Sequence, residues 1–574
     1  MMLFRRRAWL FSLLALTLAA CVSGSAARHR GQAMVAAADP RAAEAALQML
    51  REGGTATDAA IAAEAVLGLV EPQSSGVGGG GFLLFYDGAT HRIDAYDGRE
   101  RAPAGATPDM FLDAAGHPLP FVDAQASGRS VGTPSLFAML KLAHEQHGRL
   151  PWARLFEPAI QLAENGFEVS PRLARSIVIA TAQGRLREDP AARAYFYDET
   201  GAPRPVGYLL KNPAYAETLR RIAAQGPSAL SHGEIAEAIV AAARREPRAG
   251  TMTLEDLQSY APRRREAVCG AYRTYRVCGA PLPSSGGEAV LAVLGLYERA
   301  RPHPEGASSA DDWSAFAWAS RLAYADRDHY AGDDEFVPVP IREMTASGYL
   351  DQRARMIDVA RAPAGAVIPG QPAGAALFER WGRDQSGDHP GTTHMSIVDG
   401  EGNAVSLTAT VESVFGDQRM VAGFVLNNQL TDFSWIPSIG GRPLANAVAP
   451  RKRPRSSVAP TIITDRDGRL VMVVGSPGGS GIIAYVSRTI IGVLDWKQTP
   501  QAAIDTGNVV AANSTVRVES SRLPRGVAAA LAARGWSVQE IASEQSGLQA
   551  ILVTPQGYVG GADSRREGVA RALP

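Results

Sequence analysis

The stretch that decides the fold runs Thr392-Thr-His-Met-Ser-Ile-Val-Asp399, Gly400-Glu-Gly-Asn403, Ala404-Val-Ser-Leu-Thr-Ala-Thr-Val-Glu412. Its first part suits a strand. Asp399 to Asn403 carries two glycines and reads as a hairpin turn. In the third part Val405, Leu407, Ala409 and Val411 alternate with Ser406, Thr408, Thr410 and Glu412, the period-2 pattern of a strand with one polar face. If residues 398 and 404 close the hairpin, Thr392 sits directly across from Thr410, with Thr408 and Glu412 on the same face. A one-residue slip would send that polar row to the other side. Taken alone, the pattern also fits an edge hairpin with a solvated polar face, because threonine is common in strands.

The segment before the hairpin sharpens the choice. Residues 361–391 contain Pro363, Pro369, Pro372, Ser386 and Pro390 among many Gly and Ala, the composition of an exposed linker. That linker stops at Gly391, and a strand begins on Thr392. A Thr hydroxyl is a poor nucleophile until a base takes its proton. A free α-amine on the same residue can be that base, and cutting the Gly391–Thr392 bond would create it. The same hydroxyl could attack the preceding carbonyl to make the cut. The expected division is a helix-rich part over 22–391, ending in the linker, and a strand-rich catalytic part over 392–574.

Farther upstream, Pro40 to Leu50 reads as a helix with Asp39 as N-cap and Pro40 in the first position. Asp58 to Val70 is nearly all apolar, which predicts a buried helix. The run Gly76-Val-Gly-Gly-Gly-Gly81 lacks a following Gly-Lys-Ser/Thr, so it is no phosphate loop; tight backbone packing between a helix and the strand Phe82 to Tyr86 is its better reading. Residues 135–245 and 310–331 read as helical, and 266–290 as strands ending at Pro283-Ser-Ser-Gly-Gly287.

The chain has 574 residues, 46% of them hydrophobic, with 58 basic and 58 acidic side chains. That composition builds a large core and gives no footprint for nucleic acid. Arg263–Arg265 reads as a solvated face. At the start, Arg5-Arg-Arg7 precedes an apolar run from Ala8 to Ala20, too short to span a membrane and suited to an export signal. Leu18-Ala-Ala-Cys21 then looks like a bacterial lipobox, so residues 1–21 are expected to be a signal with Cys21 acylated. The chain would then be periplasmic and lipid-anchored to the envelope. Cys269 and Cys278 can pair in an exported protein or stay as thiols. The ten His show no metal-ligand spacing, and the reading calls for no metal and no cofactor.

The hairpin segment resembles the small-subunit start of the γ-glutamyltransferase family. That family carries Thr-Thr-His-x-Ser, Gly-Asn-Ala-Val and Thr-x-Thr, and all three stand here. Similar to the family are also Leu426-Asn-Asn-Gln-Leu-Thr-Asp-Phe433, Arg453-Pro-Arg-Ser-Ser457 and Gly475-Ser-Pro-Gly-Gly-Ser480. In the front half Gly76 to Gly81, Arg99-Glu-Arg-Ala-Pro103, Pro283 to Gly287 and Tyr324-Ala-Asp-Arg327 agree too. The resemblance runs from about residue 31 to the end.

It implies an α+β fold, a four-layer αββα sandwich of the N-terminal-nucleophile hydrolase type, built jointly by both cleavage products as a heterodimer. Thr392 would attack a γ-glutamyl carbonyl, and the resulting ester would pass to water, an amino acid or a peptide. Thr410 would hydrogen-bond Thr392. Gly478 and Gly479 would offer backbone N–H groups to the oxyanion. Arg99, Ser456 and Ser457 would hold the α-carboxylate of a glutathione-like substrate, and Asp432 and Gln429 its α-ammonium. Glu412 stands where the family commonly has Asn at the ammonium. The segment from Trp435 to Ala445 is shorter than a family lid and has no Tyr, which would favour hydrolysis. Two alternatives stay open: a glutaryl-cephalosporin-acylase-like amidohydrolase with the same mechanism, and a non-catalytic envelope lipoprotein scaffold.

Overall fold

The computed structural model describes residues 31–374, 381–384 and 391–573. Cys21 and the expected signal lie outside the described residues, as does part of the expected linker. In chain order the strands of the two large sheets are β1 (Ala33–Ala37), β2 (Gly80–Tyr86), β3 (Ile93–Gly98), β4 (Arg263–Glu266), β5 (Val268–Tyr272), β6 (Tyr275–Gly279), β7 (Thr392–Val398), β8 (Ala404–Thr410), β9 (Thr461–Thr464), β10 (Leu470–Gly475), β11 (Gln549–Thr554), β12 (Gly557–Ala562) and β13 (Val569–Leu573). They form a seven-stranded sheet, β13-β1-β7-β8-β2-β3-β4, and a six-stranded sheet, β12-β11-β10-β9-β6-β5.

Three apolar layers set these sheets face to face. Helices α1 (Pro40–Arg51) and α2 (Ala56–Val70), with the helices between residues 136 and 243, cover the outer face of the first sheet. There Val35, Leu83, Met395, Ile397, Val405 and Leu407 join their core. Helices α3 (Gly286–Ala300), α4 (Ala310–Tyr330) and α5 (Ile482–Leu494) cover the second sheet, where Val277, Ile463, Met472 and Val474 join theirs. Between the sheets lie Met34, Ala36, Leu84, Val398, Ala404, Ile462, Val473 and Ile551. The order is helix, sheet, sheet, helix, as the resemblance implied.

Local signals hold where they are strong. Asp39 accepts from Arg41 N at 2.8 Å and caps α1. α2 opens two residues before Asp58, because Thr55 and Asp58 form a reciprocal capping box. It is buried along its whole length. The strand reading of 266–290 runs too far: β6 ends at Gly279 and α3 starts at Gly286. Gly287 lets that helix press on the strand end, since an added Cβ would lie 2.9 Å from the carbonyl carbon of Gly279. Cys269 and Cys278 face each other across β5 and β6 and form a disulfide.

The glycine run does close-packing work beside the hairpin. An added Cβ at Gly79 would lie 3.0 Å from the carbonyl carbon of Thr410, and one at Gly81 3.1 Å from the Cα of Ala409. These approaches draw β2 against β8. The hairpin is therefore no edge: β7 and β8 lie between β1 and β2 and are buried throughout. Its pairing is the expected one, Ala404 with Val398 through Thr410 with Thr392. Asp399 fixes the turn by accepting from Glu401 N at 2.9 Å and Asn403 N at 3.0 Å, and it ties the turn to α2 through Ala56 N at 3.0 Å.

Candidate active site

Odd-numbered hairpin residues enter the helical core, so the even-numbered ones face the second sheet. That polar row is not solvated; it is buried and hydrogen-bonded. Ser396 donates to Gln549 O at 3.1 Å and Ser406 to Val474 O at 3.2 Å. His394 lies between Thr408 Oγ1 at 2.8 Å and Ser396 Oγ at 3.1 Å. Burial pushes the His394 imidazole down to about 3, so it is neutral at pH 7. The row ends at the open edge of the layer, on Thr392 and Thr410.

There the geometry bears on bond cleavage. Thr410 Oγ1 donates to the carbonyl oxygen of Gly391 at 2.7 Å. It accepts from Glu412 N at 2.8 Å and lies 3.1 Å from Thr392 Oγ1. A hydroxyl has one proton, and that of Thr410 is spent on Gly391. The proton between the two threonines is therefore donated by Thr392, which leaves its lone pairs beside the preceding carbonyl. Gly391 packs against the chain after β8: an added Cβ would sit 2.8 Å from Ser413 O and closer still to Glu412 O. Arg566 Nη1 donates to Thr392 O at 2.7 Å and holds the other side of the residue.

A small cleft opens on this pair. Thr392, Thr410, Arg99, Glu412, Gln429, Asp432, Ser456, Ser457 and Gly479 all line it, together with Arg455, Val458 and Ile482. Gly478 stands just behind, at φ 132°, with the Tyr485 ring in the space a Cβ would need. The turn Gly479–Gly481 leads directly into α5, so the N–H groups of a helix start and the positive end of a helix dipole meet at this wall.

The walls carry opposite charge. Arg99 is 1% exposed. Its guanidinium donates to Pro454 O at 3.0 Å, Arg455 O at 2.9 Å and Asp432 Oδ2 at 2.5 Å. Gln429 Nε2 donates to the same Asp432 oxygen at 2.9 Å, which orients the carboxylate. Glu412 adopts a left-handed φ of 80°, a costly conformation for a residue with a Cβ. Its carboxylate accepts from Asn428 Nδ2 at 2.6 Å and from Ser413 Oγ. Burial pushes the Glu100 carboxyl behind Arg99 up to about 8, against the pull of Arg99.

Residues 42–573 match the family model described as gamma-glutamyltranspeptidase. The chain belongs to the γ-glutamyltranspeptidase family. The glutathione hydrolase proenzyme of Bacillus subtilis (strain 168) is 35% identical over 545 residues, covering 94% of this chain and 91% of that one. The glutathione hydrolase proenzyme of Escherichia coli (strain K12) is 36% identical over 558 residues, covering 93% and 90%. Among solved structures, cephalosporin acylase from Bacillus halodurans has a TM-score of 0.82 at 26% identity, over 94% of this chain and 96% of that one. Within this γ-glutamyltranspeptidase family member, sequence reasoning missed Arg566, Arg455 and the contacts of Arg327. Arg566 had no local signal. Arg327 stood in a quoted motif, but nothing in a helix sequence says which serine its guanidinium reaches.

Proposed function

We propose that this γ-glutamyltranspeptidase family member cuts itself between Gly391 and Thr392, and that the freed Thr392 works as a γ-glutamyltransferase and glutathione hydrolase. The carrying observation is the chain of hydrogen bonds from Thr392 through Thr410 to the Gly391 carbonyl. In the first stage Thr392 Oγ1 adds to the Gly391 carbonyl carbon, and its proton passes to the departing nitrogen. The resulting ester is hydrolysed by water, leaving a Gly391 carboxylate and a Thr392 amine.

In the second stage that amine takes the Thr392 hydroxyl proton, and Oγ1 adds to the γ-carbonyl of the substrate. The amide nitrogen leaves with a proton. Water, an amino acid or a peptide then receives the γ-glutamyl group. The N–H groups of Gly478 and Gly479 take the oxyanion; one such donor contributes about 3 kcal/mol to the transition state. Arg99, Ser456 and Ser457 take the α-carboxylate. Asp432, oriented by Gln429, and Glu412 take the α-ammonium. The opposed charge of the two walls supports a zwitterionic acyl group, which would come between Arg99 and Asp432. The short, Tyr-free segment from Trp435 to Ala445 supports hydrolysis over transfer. The leader reading belongs to the same proposal: export, acylation of Cys21 and a periplasmic, lipid-anchored enzyme of two subunits.

A second reading keeps the mechanism and changes the acyl group to glutaryl, which has no ammonium. The full-length likeness to a cephalosporin acylase favours it. The carboxylates of Glu412 and Asp432 in the cleft favour the aminated γ-glutamyl group. Intact mass and N-terminal sequencing, beside a Thr392→Ala variant, test the first stage. Two fragments, the smaller starting at Thr392, and an uncut variant are expected; an uncut, inactive wild type would remove the free amine and the mechanism. Rates on γ-glutamyl- and glutaryl-p-nitroanilide decide the acyl group.

A further inference from the structure

Tyr324-Ala-Asp-Arg327 lies in α4, away from the hairpin, and the chemistry above makes no use of it. The helix is held firmly at this point. Tyr324 donates its hydroxyl to Ser480 O, next to Gly479. Asp326 accepts from Arg353 Nη2 at 2.9 Å, Tyr349 OH at 2.8 Å and Gly370 N at 2.7 Å. Three residues after Tyr324 and on the same helix face, Arg327 is 4% exposed. Its Nε donates to Ser285 Oγ at 3.0 Å, its Nη1 to Asp328 Oδ1 at 3.0 Å, and its Nη2 to Ser457 Oγ. Ser285 passes its own proton to the carbonyl of Ser456 at 2.6 Å.

The protons can be placed by inventory. A guanidinium has donors and no acceptor, so Ser457 Oγ accepts from Arg327. Ser457 Oγ thus spends one of its two lone pairs on Arg327 and keeps its single proton to donate. Ser456 Oγ is set the same way, accepting from Val458 N at 3.2 Å. We propose that Arg327 is a positioning residue: it makes Ser457 a hydrogen-bond donor, and so makes this end of the cleft select an anionic group, the α-carboxylate, over a cationic or apolar one. The inference rests on the γ-glutamyl reading of the cleft. Arg327 acts through Ser457, and its bond to Ser285 holds the guanidinium in place. A lysine would keep the charge but could not fork to both serines.

The test uses self-cleaved wild type, Arg327→Lys, Arg327→Met, Ser457→Ala and the Arg327→Met/Ser457→Ala double variant. Each is assayed on γ-glutamyl-p-nitroanilide and on 4-aminobutanoyl-p-nitroanilide, which lacks only the α-carboxylate. Arg327→Met is expected to raise KM for the γ-glutamyl substrate about tenfold, as loss of a charge-assisted hydrogen bond does, with kcat held within about threefold. Arg327→Lys falls between. On the decarboxylated substrate neither changes kcat/KM, and in the Ser457→Ala background Arg327→Met adds less than about twofold. If Arg327→Met does not fold or mature, Arg327→Lys with and without Ser457→Ala carries the same comparison. Equal losses on both substrates, or a full Arg327 effect without the Ser457 hydroxyl, would overturn the proposal. Failure of the γ-glutamyl reading shows separately, as a wild type indifferent to the α-carboxylate, and would take the proposal with it.

Discussion

Replacing Thr410 by Ala removes one hydroxyl from the centre of the Thr392 site. That hydroxyl donates to the Gly391 carbonyl at 2.7 Å, accepts from Glu412 N at 2.8 Å and lies 3.1 Å from Thr392 Oγ1. Two costs follow. The buried Glu412 N–H loses its acceptor, which lowers stability by about 1–3 kcal/mol. The larger effect falls on cleavage, because the Gly391 oxygen gains negative charge as Thr392 adds to its carbon. Losing one aimed donor there costs about 3 kcal/mol, or roughly 150-fold in rate. Thr410→Ser keeps the hydroxyl and should mature within about tenfold of wild type, since only a methyl group is lost. The assay is the intact-mass time course of fragment appearance after rapid cold purification. A Thr410→Ala chain that matures within about tenfold of wild type would refute the argument. A Thr410→Ser chain as slow as Thr410→Ala would assign the effect to methyl packing instead.

Three further outcomes are expected. Gly391→Ala should slow maturation, because its Cβ would push the scissile carbonyl off the backbone of Glu412 and Ser413; a normal fragment time course would count against that packing. Glu412→Asn should shift the ratio of γ-glutamyl- to glutaryl-p-nitroanilide hydrolysis by about tenfold, the scale of one charge-assisted contact, and an unchanged ratio would place Glu412 off the substrate. His394 is held neutral by burial, down to about 3 from the usual 6.5. The unfolded chain therefore binds the extra proton between those values, so stability falls as pH drops from about 6.5 towards 3, by up to about 1.4 kcal/mol per unit. Thermal melts of wild type and His394→Gln across that range should differ in slope, and equal slopes would show that His394 does not set it.

Much of the site was legible because it was local. The alternation in 404–412 and the turn at 399–403 fixed which residues share a face, and so placed Thr410 across from Thr392. α1 was legible from its cap and α2 from its apolar pattern, though the capping box of Thr55 and Asp58 starts α2 earlier than that pattern. The strand reading of 266–290 failed past Gly279 because a glycine pair that looks like a strand end also suits a helix start pressed on a neighbour. An edge hairpin and a central one have the same sequence period. What makes this one central is the glycine run 78–81, which admits β2 on one side, and β1 on the other.

The sequence by itself determined the pairing of Thr392 with Thr410, the family resemblance and, through its motifs, most of the residues that line the cleft. Period and turn length act over a few residues, and motifs carry their order with them. Only the tertiary structure decided that the polar row is buried between two sheets, that Arg99 meets Asp432, and that Arg327 reaches Ser457. These contacts join positions 333 and 130 residues apart. Their partners are chosen by how whole layers pack, and no local pattern records that choice.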